Sequence, residues 1–215
     1  MEPSRIRDGV RAGLPLTLAP LLFGASFGLL AIDAGIGRLG AVVMSATTFA
    51  GSAQFAAASI LDSGGGVLAA IVAAILLNAR YVPLSLAVAS IFPGSRRRRF
   101  LESQLIVDES WALAGRSGRF DYAILAGAGI LLYVLWVGGT ALGTVVGDLL
   151  DPEAIGLDAA FPALFLALLA PYLRTRRALA TALVAGGITL VLLPIAPAGL
   201  PIVAASLAAL IGLRR

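Results

Sequence analysis

The chain has 215 residues, 59% of them hydrophobic and 13% charged, with a mean hydropathy of +0.96; a water-soluble domain carries roughly 25% charge, so the composition excludes one and leaves a single membrane-embedded domain over 1–215. Neither Cys nor His is present, which removes disulfides, thiolate metal sites and the side chain that most often carries protons near neutral pH. No metal or other cofactor is expected, and proton chemistry falls to carboxylates.

A hydrocarbon layer of about 30 Å takes about 20 helical residues. In chain order, the apolar blocks that reach or approach this length are 14–33, 39–61, 66–92, 121–147, 159–173, 178–194 and 195–213. They are apolar all round instead of alternating, so they read as helices and not as barrel strands. The fold class is therefore all-α, a polytopic integral membrane protein of about six to seven membrane segments. Pro15 and Pro20 interrupt the first block and no small-residue cleavage site follows it, so it reads as a retained helix and not as a signal peptide.

All 16 basic residues are arginines. They sit at the edges of apolar blocks, where they report topology rather than a nucleic-acid partner. Arg5, Arg7 and Arg11, the tetrad Arg96, Arg97, Arg98 and Arg99, then Arg116, Arg119, Arg174, Arg176, Arg177, Arg214 and Arg215 predict cytoplasmic segments, with both termini inside. The acidic loop bearing Asp148, Asp151, Glu153 and Asp158, and the 194–201 connection, face outward. From 121 onward the blocks alternate. The first half does not, because an even number of crossings must join two cytoplasmic ends and three blocks are available. At least one helix there is broken or re-entrant: either 39–61 is re-entrant, or 66–92 is broken near 78–83. The remaining alternative is an N-terminus outside. Irregular backbone at membrane depth is tolerated where it is buried in protein or lines a wet cavity, and interrupted helices are the best sequence pointer to a transporter binding site.

Polar residues cluster at these interruptions. Ser45, Thr47, Thr48, Ser52, Gln54 and Ser59 lie in the second block, with Gly51 at its centre. Small residues such as Ser45, Thr47 and Ser59 serve helix packing, as do the four-residue repeats Gly24/Gly28 and Gly139/Gly143/Gly147. The primary amide of Gln54 needs several partners and reads either as packing or as a contact to substrate or water. Arg80 follows Asn78 inside an apolar block, where a charge costs at least about 2.5–3.5 kcal/mol, so it must meet a partner or a cavity. Its guanidinium suits a carboxylate, a substrate's or an internal one from Asp108 or Glu109. The stretch 100–115 is too short and polar for a span and reads as an interfacial helix. Asp108 and Glu109 point about 100° apart on it, one toward a cavity and one toward bulk water, and a partly buried carboxylate there is a natural proton acceptor.

Together the run Phe49-Ala50-Gly51-Ser52-Ala53-Gln54-Phe55, the Asn78-x-Arg80 break, the Asp108-Glu109 pair followed by an aromatic, and Gly156-Leu157-Asp158 leading into Phe161-Pro162-Ala163-Leu164-Phe165 resemble the AzlC family. Its members are the large subunits of branched-chain amino acid exporters. The resemblance implies export of aliphatic amino acids across a bacterial cytoplasmic (inner) membrane, with a small AzlD-type membrane subunit as partner and no enzymatic activity. One position departs: members often carry His after the arginine of the break, and this chain has Tyr81. The expected substrate-binding residues are Ser52, Gln54, Asn78 and Arg80, with Arg80 on the substrate carboxylate and Gln54 with backbone carbonyls on the ammonium. Asp108 and Glu109 are the expected proton-coupling pair. The alternative from a different class is a non-transporting membrane anchor or assembly subunit.

Overall fold

The computed structural model describes residues 5–116, 119–146, 166, 169–170, 173–196 and 200–209. It is helical apart from one two-stranded hairpin, β1 (Gly115–Arg116) with β2 (Arg119–Phe120). That hairpin delivers the chain to the axis of the molecule, helix α9 (Tyr122–Val146). The Asp121 carboxylate starts this helix by accepting the backbone N–H groups of Ala123 and Ile124 at 2.8 and 3.1 Å. The helix runs 25 residues, about 37 Å at 1.5 Å per residue.

Four helices pack on α9: α1 (Ile6–Gly13), α2 (Leu18–Asp33), α3 (Arg38–Thr48) and α8 (Asp108–Ala114). The α2–α9 crossing is the closest, and the small-residue repeats are its cause. A Cβ on Gly28 would overlap the Thr140 carbonyl oxygen, and one on Gly143 would overlap that of Ala25. Glycine at both positions lets the two backbones touch, the usual route to tight packing where lipid offers no hydrophobic drive between helices. Gly147 lies outside the described residues. Above this crossing Phe27, Phe55 and Trp136 form an edge-to-face series, with ring centroids 5.9 and 6.4 Å apart. They anchor a core that also takes in Leu30, Phe49 and Leu132.

The N-terminal half is interrupted more than expected. Block 39–61 is two helices, α3 and α4 (Gly51–Asp62), and block 66–92 is also two, α5 (Val67–Asn78) and α6 (Tyr81–Val88). The alternatives drawn from sequence were a re-entrant 39–61 or a break in 66–92 near 78–83; the chain is interrupted in both blocks. Phe49 leaves α3 in the left-handed region at φ 41° and Ala50 is extended at φ −142°. The α5–α6 pair bends by 41°, because Pro83 in the first turn of α6 has no N–H to offer the preceding turn. Helices of 11 or 12 residues reach only about 17–18 Å, well short of a bilayer core. Block 14–33 is bent too: α1 and the 3-10 turn Leu14–Leu16 meet α2 at 67°. Helix α1 itself was not foreseen, since its arginines read only as a flank.

Other expectations change. The stretch 100–115 is not one interfacial helix: α7 (Arg96–Glu102) and a 3-10 turn Ser103–Leu105 are separated from α8 by an extended link at Ile106 and Val107. Both link residues are buried, and Gln104 Nε2 donates to the Thr47 carbonyl at the end of α3. The segment therefore enters the helix layer instead of lying on its surface. Block 178–194 is α10 (Arg176–Leu192), capped by Thr175 Oγ1 accepting the Ala178 N–H at 3.1 Å. Of block 195–213 the described part holds α11 (Leu200–Ser206) and a 3-10 turn. Block 159–173, apart from a few residues, and the acidic 148–158 loop lie outside the described residues. Among the described residues one helix is long and apolar enough to cross a membrane, α9, or three if each bent pair is one span. Large apolar side chains such as Leu68, Ile75, Leu183 and Leu190 stand exposed on α5 and α10, a surface suited to lipid.

Candidate functional site

The interruptions converge. A cavity of about 410 Å³ opens where the bend before α2, the α3–α4 break, the α5–α6 break and the start of α8 face α9, a volume in the range of small-molecule sites. Leu16, Pro20, Phe23, Phe49, Phe55, Val107, Leu132 and Trp136 give it apolar and aromatic walls, and its polar lining comes from Ser52, Arg80, Tyr81, Asp108 and Glu109.

Arg80 is the centre of that polar group. It is the residue before the first turn of α6, so the break aims its long side chain inward and away from lipid. One Nη2 lies 3.1 Å from Asp108 Oδ2 and 3.1 Å from Ser52 Oγ, to which it donates, and 3.4 Å from the Tyr81 hydroxyl. The guanidinium carbon also stands 5.1 Å from the Tyr81 ring centroid, a cation–π distance. Three helices are thus tied at one cation: α4 through Ser52, α6 through Arg80 and α8 through Asp108. Arg80 and Asp108 each keep roughly a third of their side-chain surface open, so the pair faces the cavity instead of being sealed in protein.

Asp108 and Glu109 both line the cavity, Asp108 half-buried and Glu109 exposed. Glu109 is exposed at its surface, but the protein atoms packed around its carboxyl group desolvate it. That desolvation raises its pKa above the ordinary carboxylate value; its own backbone N–H opposes the rise, the Asp108 charge adds to it, and Arg80 opposes it. The result is a carboxyl group that holds a proton more readily than an ordinary glutamate does.

The structure brings together Ser52, Arg80, Asp108 and Glu109, but not Gln54 or Asn78. Gln54 is fully buried behind the cavity wall. Its Oε1 accepts from Trp136 Nε1 at 3.0 Å and from the Ala50 N–H at 3.2 Å, and its Nε2 donates to Ser45 Oγ at 2.9 Å. Ser45 Oγ lies 2.8 Å from Thr140 Oγ1, which donates to the Trp136 carbonyl at 3.0 Å. The network closes the α3–α4 break: Gln54 reaches back one turn to cap the backbone left unsatisfied where the chain changes direction. It also fixes the Trp136 indole over Gly51, where an added Cβ would meet the ring at 2.8 Å. Asn78 does not line this cavity; it borders a shallow outer groove with Ile71, Ala74, Ile75, Ala79 and Val82, and its buried Oδ1 has no hydrogen-bond partner among the described residues.

Sequence reasoning missed Trp136, Phe23, Phe55 and Tyr81 as lining residues. A signal existed for Trp136, because an indole N–H in an apolar block requires an acceptor, and Gln54 in block 39–61 is one of the few side-chain amides that could supply it. Phe55 and Tyr81 stood in the quoted motifs, Tyr81 as the departure after the break arginine, without being assigned to the site; Phe23, an apolar residue in an apolar block, carried no signal.

The AzlC protein family matches residues 15–150 of this chain, a stretch containing every one of the lining residues except Leu169. A membrane protein of Archaeoglobus fulgidus is 32% identical over 191 residues, covering 86% of this chain and 83% of its own length. A membrane protein of Helicobacter pylori is 25% identical over 166 residues, 75% of this chain and 73% of that one. A Bacillus subtilis protein named as the branched-chain amino acid transport protein AzlC is 25% identical over 175 residues, 76% of this chain and 67% of that one. No solved structure matches. With the family matched across α2, both helix breaks and α9, and the archaeal relative similar along most of both chains, this chain belongs to the AzlC family of membrane proteins.

Proposed function

We propose that this chain is the transport subunit of a secondary exporter of branched-chain and other aliphatic amino acids, driven by proton influx. It works in the cytoplasmic membrane of a bacterium, as one multi-pass domain with both termini inside, together with a small AzlD-type membrane subunit. The observation that carries the reading is Arg80, set at a helix break and 3.1 Å from both Ser52 and Asp108, in a cavity whose other walls are apolar. The name of the Bacillus subtilis relative supports the substrate class.

In this mechanism the substrate carboxylate competes with Asp108 for the Arg80 guanidinium and Ser52. Asp108, once displaced, and Glu109 receive the ammonium group, and the aliphatic side chain lies against Phe23, Phe55 and Trp136. Burying such a side chain contributes about 1.5–3 kcal/mol, while one methylene discriminates by only about 1–3 kcal/mol, so valine, leucine and isoleucine share the site. Glu109 takes the coupled proton, which its raised pKa favours. The reading is of a carrier and not of an enzyme.

The test is leucine efflux from proteoliposomes. Losing a charge-assisted hydrogen bond costs about 1.5–3 kcal/mol, so Arg80→Ala lowers leucine affinity by about 10- to 150-fold while inserting normally. Wild-type flux in the inserted variant sinks the reading. A wild-type protein that binds no leucine and copurifies with a soluble complex favours the anchoring subunit instead.

A further inference from the structure

We propose that the outward face of α7 is a binding site for anionic phospholipid headgroups. At 100° per residue, Arg98, Arg99 and Glu102 share one side of this seven-residue helix, and Arg96, Arg97, Phe100 and Leu101 share the other. The first side is tied to the protein. Arg98 Nε donates to Glu102 Oε1 at 2.6 Å and its Nη2 to the Tyr122 hydroxyl at 3.3 Å. Arg99 donates to the carbonyls of Phe92 and Ala89, both at 2.9 Å, and so satisfies the end of the α5–α6 span. The second side is tied to nothing among the described residues: Phe100 and Leu101 are 77% and 70% exposed, and no hydrogen bond or ion pair holds Arg96 or Arg97.

Two guanidiniums alternating with two large apolar side chains match one kind of surface. Planar guanidinium groups grip phosphate oxygens, and an apolar pair between them enters the boundary between headgroups and acyl chains. Water alone rewards neither Phe100 nor Leu101 there, and a zwitterionic headgroup makes little use of two free positive charges. The level is right as well, because the α6 and α9 spans both end at this place, where Phe92 packs edge-to-face on Tyr122 with centroids 5.6 Å apart. The inference rests on the membrane location of the chain and not on the transport reading.

The test is native mass spectrometry of the full chain in detergent, titrated with short-chain phosphatidylglycerol or with phosphatidylcholine of the same acyl length. Each surface arginine is worth about fivefold for an anionic lipid, so the pair gives a preference of about 25-fold for phosphatidylglycerol. Arg96→Gln with Arg97→Gln brings phosphatidylglycerol to the level of phosphatidylcholine, and Phe100→Ser with Leu101→Ser weakens both lipids alike. Equal binding of the two lipids by the wild type overturns the proposal, as does a preference that survives in the double glutamine variant. Competition by soluble glycerol phosphate as strong as by the lipid, together with no effect of the serine pair, assigns the site to a free anion and overturns it too.

Discussion

Replacing Gln54 by Leu keeps the side-chain volume and removes three hydrogen bonds, those to Trp136 Nε1, the Ala50 N–H and Ser45 Oγ. Two donors are left buried without an acceptor, whereas Ser45 keeps Thr140. On the scale of water-soluble proteins an orphaned buried group costs about 1–3 kcal/mol, which sets a range of about 2–6 kcal/mol. In a bilayer the unfolded state finds other partners and a hydrogen bond averages about 0.6 kcal/mol, so three of them contribute about 2 kcal/mol. The two estimates meet at about 2 kcal/mol. On the soluble-protein scale of roughly 2–4 °C per kcal/mol for a chain of this size, the melting temperature falls by about 4–8 °C. Intrinsic fluorescence during thermal unfolding in detergent measures it. Leucine affinity declines only as far as the loosened Trp136 indole shifts the cavity wall. An unchanged melting temperature with lost leucine binding refutes the argument and returns Gln54 to the substrate.

Two further perturbations test the crossing and the carboxylate. Gly143→Ala places a Cβ 2.7 and 2.8 Å from Ala25 C and Cα, where ordinary contact is about 3.5–4.0 Å, so α2 and α9 must part and stability falls by about 1–3 kcal/mol. Gly138→Ala on the same helix meets nothing within 4 Å and leaves the melting temperature level or slightly higher; equal losses at both positions dismiss the close crossing as the cause. Glu109 has a pKa raised above 4.5, so the folded protein holds a proton that the unfolded chain gives up. Its stabilising effect is complete below 4.5 and is lost as pH rises through the folded value. Glu109→Gln lacks that loss, and the melting temperature of the variant relative to wild type climbs with pH across this window. Parallel melting curves from pH 4 to 8 reject the raised pKa of Glu109.

The sequence made the larger features legible because they follow from length and cost. An uninterrupted apolar run gives α9, and a lone arginine in an apolar block demands a partner, so Arg80 was recognisable before any contact was known. The pairing of Arg80 with Asp108, the cavity shared by Asp108 and Glu109, and the burial of Gln54 were not legible, since each depends on how segments far apart in sequence meet. Ser45 and Thr140 are 95 residues apart, and no periodicity links them. The same holds for 100–115: its composition resembles an interfacial helix, but Ile106 and Val107 gain more by packing against the core than by continuing a helical turn. The break in block 39–61 fell next to Gly51, as the sequence hinted, although the strained residue is Phe49. A second break in block 66–92 was read only as an alternative, because the parity argument needs one break and is silent about a second.

The α3–α4 break treats its two ends differently, and that difference bears on the proposed mechanism. Carbonyls at the C-terminal end of α3 are taken up by side-chain donors, Tyr133 on Ala46 and Gln104 on Thr47. The opposite end opens toward the cavity. The first N–H groups of a helix have no intrahelical acceptor and carry partial positive charge, and at α4 they belong to Gly51 and Ser52, which line the cavity beside Arg80. Capping one polarity and leaving the other open biases this wall toward anions. The two acids on α8 supply the opposite sign, Asp108 already paired with Arg80 at 3.1 Å. A zwitterion entering such a cavity is oriented before its side chain touches anything, its carboxylate toward α4 and Arg80 and its ammonium toward Asp108 and Glu109. The aliphatic group is then left to the aromatic wall, where the buried Gln54 network holds Trp136 in place. On this reading Gln54 acts on the substrate through the shape of the wall, a role that composition and spacing alone do not assign.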